Sequence, residues 1–470
     1  MTRNVAYGKY VLWLILFYGL LITVWNLNYN SVFIDEAYHI TMGHQLLRGE
    51  PCSGCPYATG SVSIHPVIAA YGDSIAGIYG ARVVNIIFGL GLTVIIYLTA
   101  RLLFGERLGL ITAVLFLCSG QTLYLMKLAT YDMIAAFFLG FAFLMIVASE
   151  KVGSGKYQNL ALVMGTTALF LACVTKYLVP VFIPFLLLYI FIKHGASKTV
   201  LYTIIPLAIF TLLYISFAPY PPPGELVNVV DQVRTDTHIP FRTLADWTFR
   251  WVAMAYLLAV FGLFHEEKGK TALQLIIFST PIIIVHLVTQ SEQSVNKNMI
   301  FSLVFLAPAA ALGVDYIGKL FSMRSSSRVV RGFFTVAVLV IFWTYGLFNL
   351  RWLEKQYPDV SPVIEYFKEN GFDGMTVAMN GWDGVIYTYE LGDQYPDAQF
   401  IHITQAIKTG NPGHSFHEKV DFIVCEDLYY GMLYPCEEFH DYIENDYTLL
   451  ENFTIAHSWG VTDAKIFGRK

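Results

Sequence analysis

Residues 10–50 read YVLWLILFYGLLITVWNLNYNSVFIDEAYHITMGHQLLRGE, and this stretch decides the fold. Its first part, from Tyr10 to about Asn28, is apolar and long enough to cross a bilayer, which takes roughly 20 helical residues at a rise of about 1.5 Å each. Two adjacent acids, Asp35 and Glu36, follow this apolar run. They are therefore predicted to lie at a membrane–water boundary.

The composition of the whole chain is that of a membrane protein with several spans. Of the 470 residues 56% are hydrophobic and only 14% are charged, which is too few charges for a soluble surface of this size. No basic run or stripe indicates a nucleic-acid partner.

Apolar segments predict an α-helical polytopic membrane protein with about eleven transmembrane helices. The first segment is not interpreted as a cleaved signal peptide, because it is long and lacks a small-x-small cleavage site. The segments lie at about residues 10–29, 76–100, 108–125, 131–149, 158–174, 177–192, 199–217, 246–264, 271–289, 298–317 and 332–350.

Lysine and arginine predict the orientation. With a cytoplasmic N-terminus the inner loops hold most of these residues, which the positive-inside rule favours. Asp35, Glu36 and the C-terminus then lie outside. The plasma membrane is the expected location, and an organelle membrane is left open. The inner residues are Arg3, Lys9, Arg101, Arg107, Lys151, Lys156, Lys193, Lys198, Lys268, Lys270, Lys319, Arg324, Arg328 and Arg331.

The composition changes at about Arg351, which predicts a membrane domain over residues 1–350 and a small extracytoplasmic α/β domain over residues 351–470. Ser361-Pro362 followed by VIEYFKEN and a glycine is typical of a short helix. MTVAM, AQFIHI and DFIVC are interpreted as strands. Packing over the membrane part without chemistry is favoured over a catalytic role for this domain.

The six cysteines are interpreted by their location. Cys425 and Cys436 are candidates for a disulfide in an oxidising compartment. Cys52 and Cys55 form a C-x-x-C with two histidines nearby, which is a weak match to a zinc site. A local disulfide or two free thiols is favoured there. The remaining two lie inside spans and are interpreted as core residues: Cys118 and Cys173.

The acid pair at residues 35 and 36 has two interpretations. Such a pair can deprotonate an acceptor hydroxyl, or hold a divalent cation against a phosphate. Taken alone, it more often caps a helix N-terminus, and AYHITMGHQLLRG is typical of a helix. The features that follow it along the chain favour the chemical role.

Five motifs follow one another along roughly the first 200 residues. They are FIDEAYHITMGHQLLRGE, SIHP at 63–66, GARVVNIIFGLGLTVIIYLTARLLFGERLGLITAVLF, LATYDMIAAFFLGFAFL at 128–144 and VTKY at 174–177. Their order resembles the GT-C class of membrane glycosyltransferases, specifically the protein O-mannosyltransferase and lipid A aminoarabinose transferase superfamily. The resemblance implies a GT-C-like fold and a polyprenyl-phosphate sugar donor, such as dolichyl phosphate mannose.

The resemblance implies three catalytic residues. Asp35 is the principal acid with Glu36 beside it, and Asp132 is the second acid, at the outer start of the fourth span. Whether Asp35 and Asp132 hold a divalent cation is left open.

The departing phosphate develops negative charge and therefore needs cations, since positioned donors stabilise such charge where water is scarce. Lys176 matches a Thr-Lys pair of the family, whereas Arg82 and Lys127 lie at outer span ends. Lys176 ranks first, before Arg82 and Lys127, although boundary cations often only extend to the interface. His65 stands where relatives carry Lys-Pro, and its charge near neutral pH is not guaranteed. Lys297 is a weaker candidate.

The expected activity is an inverting displacement that moves the sugar to a protein, lipid or glycan acceptor on the extracytoplasmic side. Residues 218–247 are interpreted as a lid over the lipid groove. A transporter or flippase of lipid-linked sugars is the alternative; it predicts broken helices and internal repeats, which are not evident. A non-catalytic sensor would leave the pattern of Asp35, Asp132 and Lys176 unexplained.

Overall fold

The computed structural model describes residues 2–50, 64–152, 155–217, 240–290, 294–322, 328–379, 384–402, 420–426, 440–458 and 460–470. The chain divides into two compact units. The first comprises Met1–Leu27 and Met42–Leu350, and the second comprises Asn28–Thr41 and Arg351–Lys470.

The first unit is built from helices. A 3₁₀ turn, Val179–Phe182, and a π-helical turn, Val200–Ile204, connect some of them. The helices up to Arg351 are α1 (Thr2–Val24), α2 (Ile34–Arg48), α3 (Ile64–Phe104), α4 (Glu106–Leu117), α5 (Gly120–Met126), α6 (Tyr131–Lys151), α7 (Lys156–Thr175), α8 (Ile183–His194), α9 (Ala196–Thr199), α10 (Ile205–Phe217), α11 (Phe241–Gly262), α12 (Gly269–Ser279), α13 (Pro281–Thr289), α14 (Val295–Ser322) and α15 (Arg328–Glu354).

The described residues contain eight helices that are long and apolar enough to cross a membrane, or nine if α4 and α5, bent by 66°, form one span. Two shorter apolar helices, Gly8–Val24 and Val179–His194, accompany them. The predicted class, an α-helical polytopic membrane protein, is confirmed. The number of about eleven spans stays a prediction.

Helix α3 is longer than the predicted span at 76–100 because it contains a sharp bend. Ala76 and Gly77 leave the helical conformation, and Gly77 has φ 59° and ψ −153°. A side chain rarely adopts this backbone conformation, so glycine is needed there. The bend brings the backbone of Gly72 against Gly80.

Helix α14 is the buried centre of the first unit and packs against α4, α6, α11 and α12. Its approach to α11 is close because two glycines face backbone atoms of the other helix. A Cβ at Gly262 would lie 2.7 Å from the carbonyl oxygen of Ala309, and one at Gly313 would overlap the carbonyl oxygen of Leu258. Small residues that let helix backbones approach are typical of membrane bundles.

The second unit contains a five-stranded sheet in the order β2-β1-β3-β5-β4. Strand β1 is parallel to β2 and β3, whereas β5 is antiparallel to β3 and β4. The small C-terminal α/β region is therefore confirmed, although its C-terminal hairpin was not predicted. The bounds 351–470 and the extracytoplasmic position stay predictions. Its elements are α16 (Ser361–Asn370), β1 (Thr376–Met379), α17 (Gly384–Leu391), β2 (Gln399–His402), β3 (Phe422–Glu426), α18 (His440–Asp446), β4 (Tyr447–His457) and β5 (Gly460–Arg469).

Residues 28–41 join the second unit, although they follow the first apolar segment in the sequence. The Asn30 side chain donates to the carbonyl of Tyr357 at 2.9 Å, and the ring centroids of Phe33 and Tyr357 are 4.1 Å apart. The backbone N–H of Ser31 donates to Asp359 Oδ1 at 3.1 Å. These contacts attach the segment that carries Asp35 to the polypeptide after Arg351.

The cysteines that the structure describes agree in part with their interpretation. Cys118 and Cys173 are free, and Cys118 is buried. Cys425 is disulfide-bonded. Three cysteines lie outside the described residues: Cys52, Cys55 and Cys436.

We expect Gly313→Ala and Gly332→Ala to change stability in opposite directions. At Gly313 the new Cβ overlaps a backbone oxygen, and such overpacking typically costs about 1–3 kcal/mol. At Gly332, also in a helix, no atom lies within 4 Å of the Cβ position, so the higher helix propensity of alanine adds up to ~1 kcal/mol. Thermal unfolding of the purified protein in detergent measures both. Equal shifts in the two variants would contradict the close packing of α11 and α14.

Candidate functional site

A buried ion pair joins the start of α6 to the end of α7. Lys176 Nζ contacts Asp132 Oδ1, and both side chains are only 1% exposed. Thr130 Oγ1 donates to the other carboxylate oxygen of Asp132 at 2.9 Å. The structure thus brings together two residues that lie far apart in the sequence.

The local backbone explains why these side chains meet. Asp132 is the second residue of α6, and Lys176 follows the last residue of α7 in an extended conformation, with φ −146° and ψ 122°. The Asn85 side-chain amide donates to the carbonyls of Leu128 and Thr130, the latter at 2.7 Å, and so fixes the residues before α6. Since α6 and α7 pack along each other, the start of one lies beside the end of the other.

Two aromatic rings contact Lys176, and two further basic residues lie beside Asp132 and Tyr131. Its Nζ lies 4.8 Å from the centroid of the Tyr131 ring and 5.7 Å from that of Phe301, distances at which a ring face attracts a cation. Lys297, in the first turn of α14, is buried, and its positive charge attracts the carboxylate of Asp132. The buried ring of His65 packs edge-on against Tyr131, with centroids 6.3 Å apart.

This arrangement is chemically suited to an anion. A lysine inside a membrane protein is costly and is generally retained for function. Two buried lysines and one carboxylate converge here, and Asp132 and the aromatic rings fix the position of the Lys176 ammonium. Fixed cations in a place with little water stabilise developing negative charge strongly.

Arg82 and Lys127 donate hydrogen bonds to backbone carbonyls. Arg82 Nη1 donates to the carbonyl of Leu27 at 2.7 Å, and Lys127 Nζ donates to the carbonyl of Trp25 at 3.1 Å. These carbonyls follow the last residue of α1, where backbone oxygens lack helical partners and cations are favourable. The two cations therefore stabilise the end of α1, and their role in phosphate binding stays a prediction.

Asp35 and Glu36 lie in the second unit, in the first turn of α2. The buried Glu36 carboxylate accepts the backbone N–H of Phe33 at 3.0 Å, which is the returning contact of a capping box. Asp35 is half-buried. The capping interpretation thus describes one contact of Glu36, and the catalytic assignments of Asp35 and Glu36 stay predictions.

Sequence reasoning missed the residues that position Lys176. Asn85 has a detectable signal, because an amide inside an apolar span needs a hydrogen-bond partner. Tyr131 and Phe301 have none, since aromatic residues are frequent in every span of this chain.

The two remaining expectations concern a cation and a lid. Among the described residues no group of three or more His, Cys, Asp or Glu side chains could hold a metal ion, and the cation shared by Asp35 and Asp132 stays a prediction. Most of the predicted lid, residues 218–239, lies outside the described residues.

Comparison with known proteins supports the resemblance. Residues 66–220, which include Asp132 and Lys176, match the family model of the dolichyl-phosphate-mannose-protein mannosyltransferases. The comparison with curated proteins gives no match.

Three solved structures are similar to this chain over most of its length. ArnT from Cupriavidus metallidurans bound to undecaprenyl phosphate has 13% identity and a TM-score of 0.59, covering 96% of this chain and 97% of ArnT. The Archaeoglobus fulgidus oligosaccharyltransferase in complex with Zn and sulfate has 14% identity and a TM-score of 0.58, covering 87% and 67%. The mycobacterial arabinofuranosyltransferase AftD has 12% identity and a TM-score of 0.53, covering 97% and 41%.

All three are GT-C glycosyltransferases. Identities this low establish the fold alone. The chain therefore has the GT-C fold of membrane glycosyltransferases, which confirms its resemblance to the protein O-mannosyltransferase and lipid A aminoarabinose transferase superfamily at the level of fold.

Proposed function

We propose that this protein is an integral membrane glycosyltransferase that moves a sugar from a polyprenyl-phosphate donor to a protein, lipid or glycan acceptor. The observation that carries the proposal is the buried pair of Asp132 and Lys176, with Lys297 beside it. The pair lies inside the segment that matches the mannosyltransferase family model.

The reaction is a single inverting displacement at the anomeric carbon. An oxygen of the acceptor forms a bond to this carbon, the bond to the phosphate oxygen breaks, and the polyprenyl phosphate leaves with the electron pair. Lys176, Lys297 and His65 face the departing phosphate and stabilise its charge. Asp132 is a positioning residue that holds the Lys176 ammonium in place.

Asp35 acts on the acceptor. If the acceptor is a hydroxyl, Asp35 takes its proton as general base. If the acceptor is a phosphate, it is already nucleophilic, and Asp35 orients it or holds a divalent cation. Glu36 caps α2 and thereby supports Asp35.

The proposed orientation follows the positive-inside rule. The N-terminus is cytoplasmic, and the start of α6, the second unit and the transfer reaction are extracytoplasmic. Residues 1–350 form the membrane domain of the transferase and residues 351–470 form its extracytoplasmic domain. The plasma membrane is the proposed location.

We expect Asp35→Asn to reduce transfer about 10²- to 10⁴-fold if the acceptor is a hydroxyl, since this is the usual contribution of a general base. The assay uses liposomes, radiolabelled polyprenyl-phosphate sugars and a membrane extract as acceptor pool. Asp393→Asn is the control, because Asp393 is exposed and lies in the turn after α17. If the protein moves the labelled lipid across the bilayer without consuming any donor, the flippase alternative replaces the transferase.

We expect Lys176→Gln and Asp132→Asn each to abolish transfer. We also expect the double variant to be more stable than Asp132→Asn alone. Asp132→Asn leaves a buried lysine without its carboxylate, a defect that typically costs about 3–5 kcal/mol. The double variant removes both charges and recovers much of this stability, while its transfer stays undetectable because the phosphate has lost its cation. Thermal unfolding and transfer are measured in parallel. A double variant that regains transfer would show that the pair is only structural.

A further inference from the structure

A second cluster of charges is centred on Asp315, towards the other end of α14. Asp315 and Lys297 lie in the same helix, about 27 Å apart along its axis at a rise of ~1.5 Å per residue. This distance is close to the ~30 Å thickness of the hydrocarbon core of a membrane. The cluster therefore lies near the membrane surface opposite Lys176. It unites the ends of several elements: the starts of α4 and α15, the last turns of α14 and the turn between α11 and α12.

Three cations share the single carboxylate of Asp315, which is 3% exposed. Its Oδ1 lies 3.1 Å from Arg107 Nη1 and 2.5 Å from Arg331 Nη2. Its Oδ2 lies 3.1 Å from Lys319 Nζ. One negative charge thus faces three positive ones.

His265 adds a donor rather than an acceptor to this cluster. Burial lowers the pKa of the His265 ring, and Lys319 lowers it further. Asp315 and Glu267 act in the opposite direction but more weakly, so the pKa lies below its ordinary value. The ring is therefore neutral at pH 7. Lys319 Nζ lies 3.2 Å from His265 Nε2. Because an ammonium group only donates, Nε2 is the acceptor and Nδ1 carries the hydrogen.

Two buried N–H groups of the cluster lack an acceptor among the residues that the structure describes. They are His265 Nδ1 and Arg331 Nε. Such groups are rare in proteins because each costs the desolvation of a hydrogen bond. Even when Glu267 is counted with Asp315, the three basic side chains of the cluster outnumber the two carboxylates. The cluster therefore has more donors and more positive charge than its own residues use.

An anion from outside can reach this surplus. The side chain of Arg107 is 50% exposed and that of Lys319 is 44% exposed. Arginine binds phosphate oxygens through parallel hydrogen bonds, and basic pockets at the ends of transmembrane helices bind anionic head groups. The position at a membrane surface favours a lipid over a dissolved anion.

We propose that Arg107, Lys319, Arg331 and His265 bind the phosphate group of an anionic phospholipid at the membrane surface opposite Lys176. This site takes a membrane lipid as ligand and takes no part in sugar transfer. The proposal is independent of the proposed transferase activity.

The test measures lipid retention by native mass spectrometry of the full chain in neutral detergent. Phosphatidylglycerol is compared with phosphatidylcholine. We expect the intact protein to retain phosphatidylglycerol selectively. In Arg107→Gln and in Arg107→Gln/Lys319→Gln, the affinity for this lipid should fall about five-fold for each basic residue removed. The control is Lys193→Gln, whose lysine lies at the same end of the bundle and pairs with Glu150 at 3.3 Å. Unchanged retention in the double variant would overturn the proposal.

A second variant, Asp315→Asn, keeps the test decisive if the first ones fold poorly. Loss of the carboxylate leaves the cations without their partner, so a bound phosphate becomes more important. We therefore expect phosphatidylglycerol to raise the melting temperature of Asp315→Asn more than that of the intact protein. An equal rise in both would overturn the proposal. Equal stabilisation of the intact protein by inorganic phosphate alone would overturn the assignment to a lipid.

Discussion

The buried contact between Asp132 and Lys176 is the interaction on which the account of this protein depends. Two charges held at 1% exposure are tolerated only with close pairing and additional hydrogen bonds. Thr130 supplies one such bond to Asp132. The contact also joins the start of α6 to the end of α7. The pair thus fixes the packing of two helices, and Lys297 beside it gives the site its net positive charge.

The backbone around this pair is organised by polar side chains that bind carbonyls. Asn85 holds the residues before α6, while Arg82 and Lys127 bind the carbonyls after α1. In an apolar bundle, carbonyls outside regular helices need such partners, because no water is present to replace them. These three residues thus support the backbone where the chain leaves α1 and where it enters α6.

The sequence predicts the helices well because an apolar run of fixed length has a simple physical meaning in a bilayer. It also places Asp132 and Lys176 at the ends of their spans. It does not predict their contact, which depends on how α6 and α7 pack. The contacts of Arg82 and Lys127 with backbone carbonyls could not be predicted either, because every residue carries such an oxygen.

The second unit shows the same limit for strands. The three parallel strands were predicted from short apolar runs, whereas the hairpin of β4 and β5 was missed. The attachment of residues 28–41 to this unit was also not predicted. It depends on contacts with Tyr357 and Asp359, which lie more than 300 residues away in the sequence.

The most direct test of the central claim is to locate the donor phosphate by cross-linking. A polyprenyl phosphate with a photoreactive group in its first isoprene unit is bound to the purified protein, irradiated and mapped by mass spectrometry. The account predicts labelled peptides that contain the start of α6, the end of α7 and the first turn of α14, with labelling lost in Lys176→Gln. Specific labelling confined to other helices, and unchanged in that variant, would contradict it.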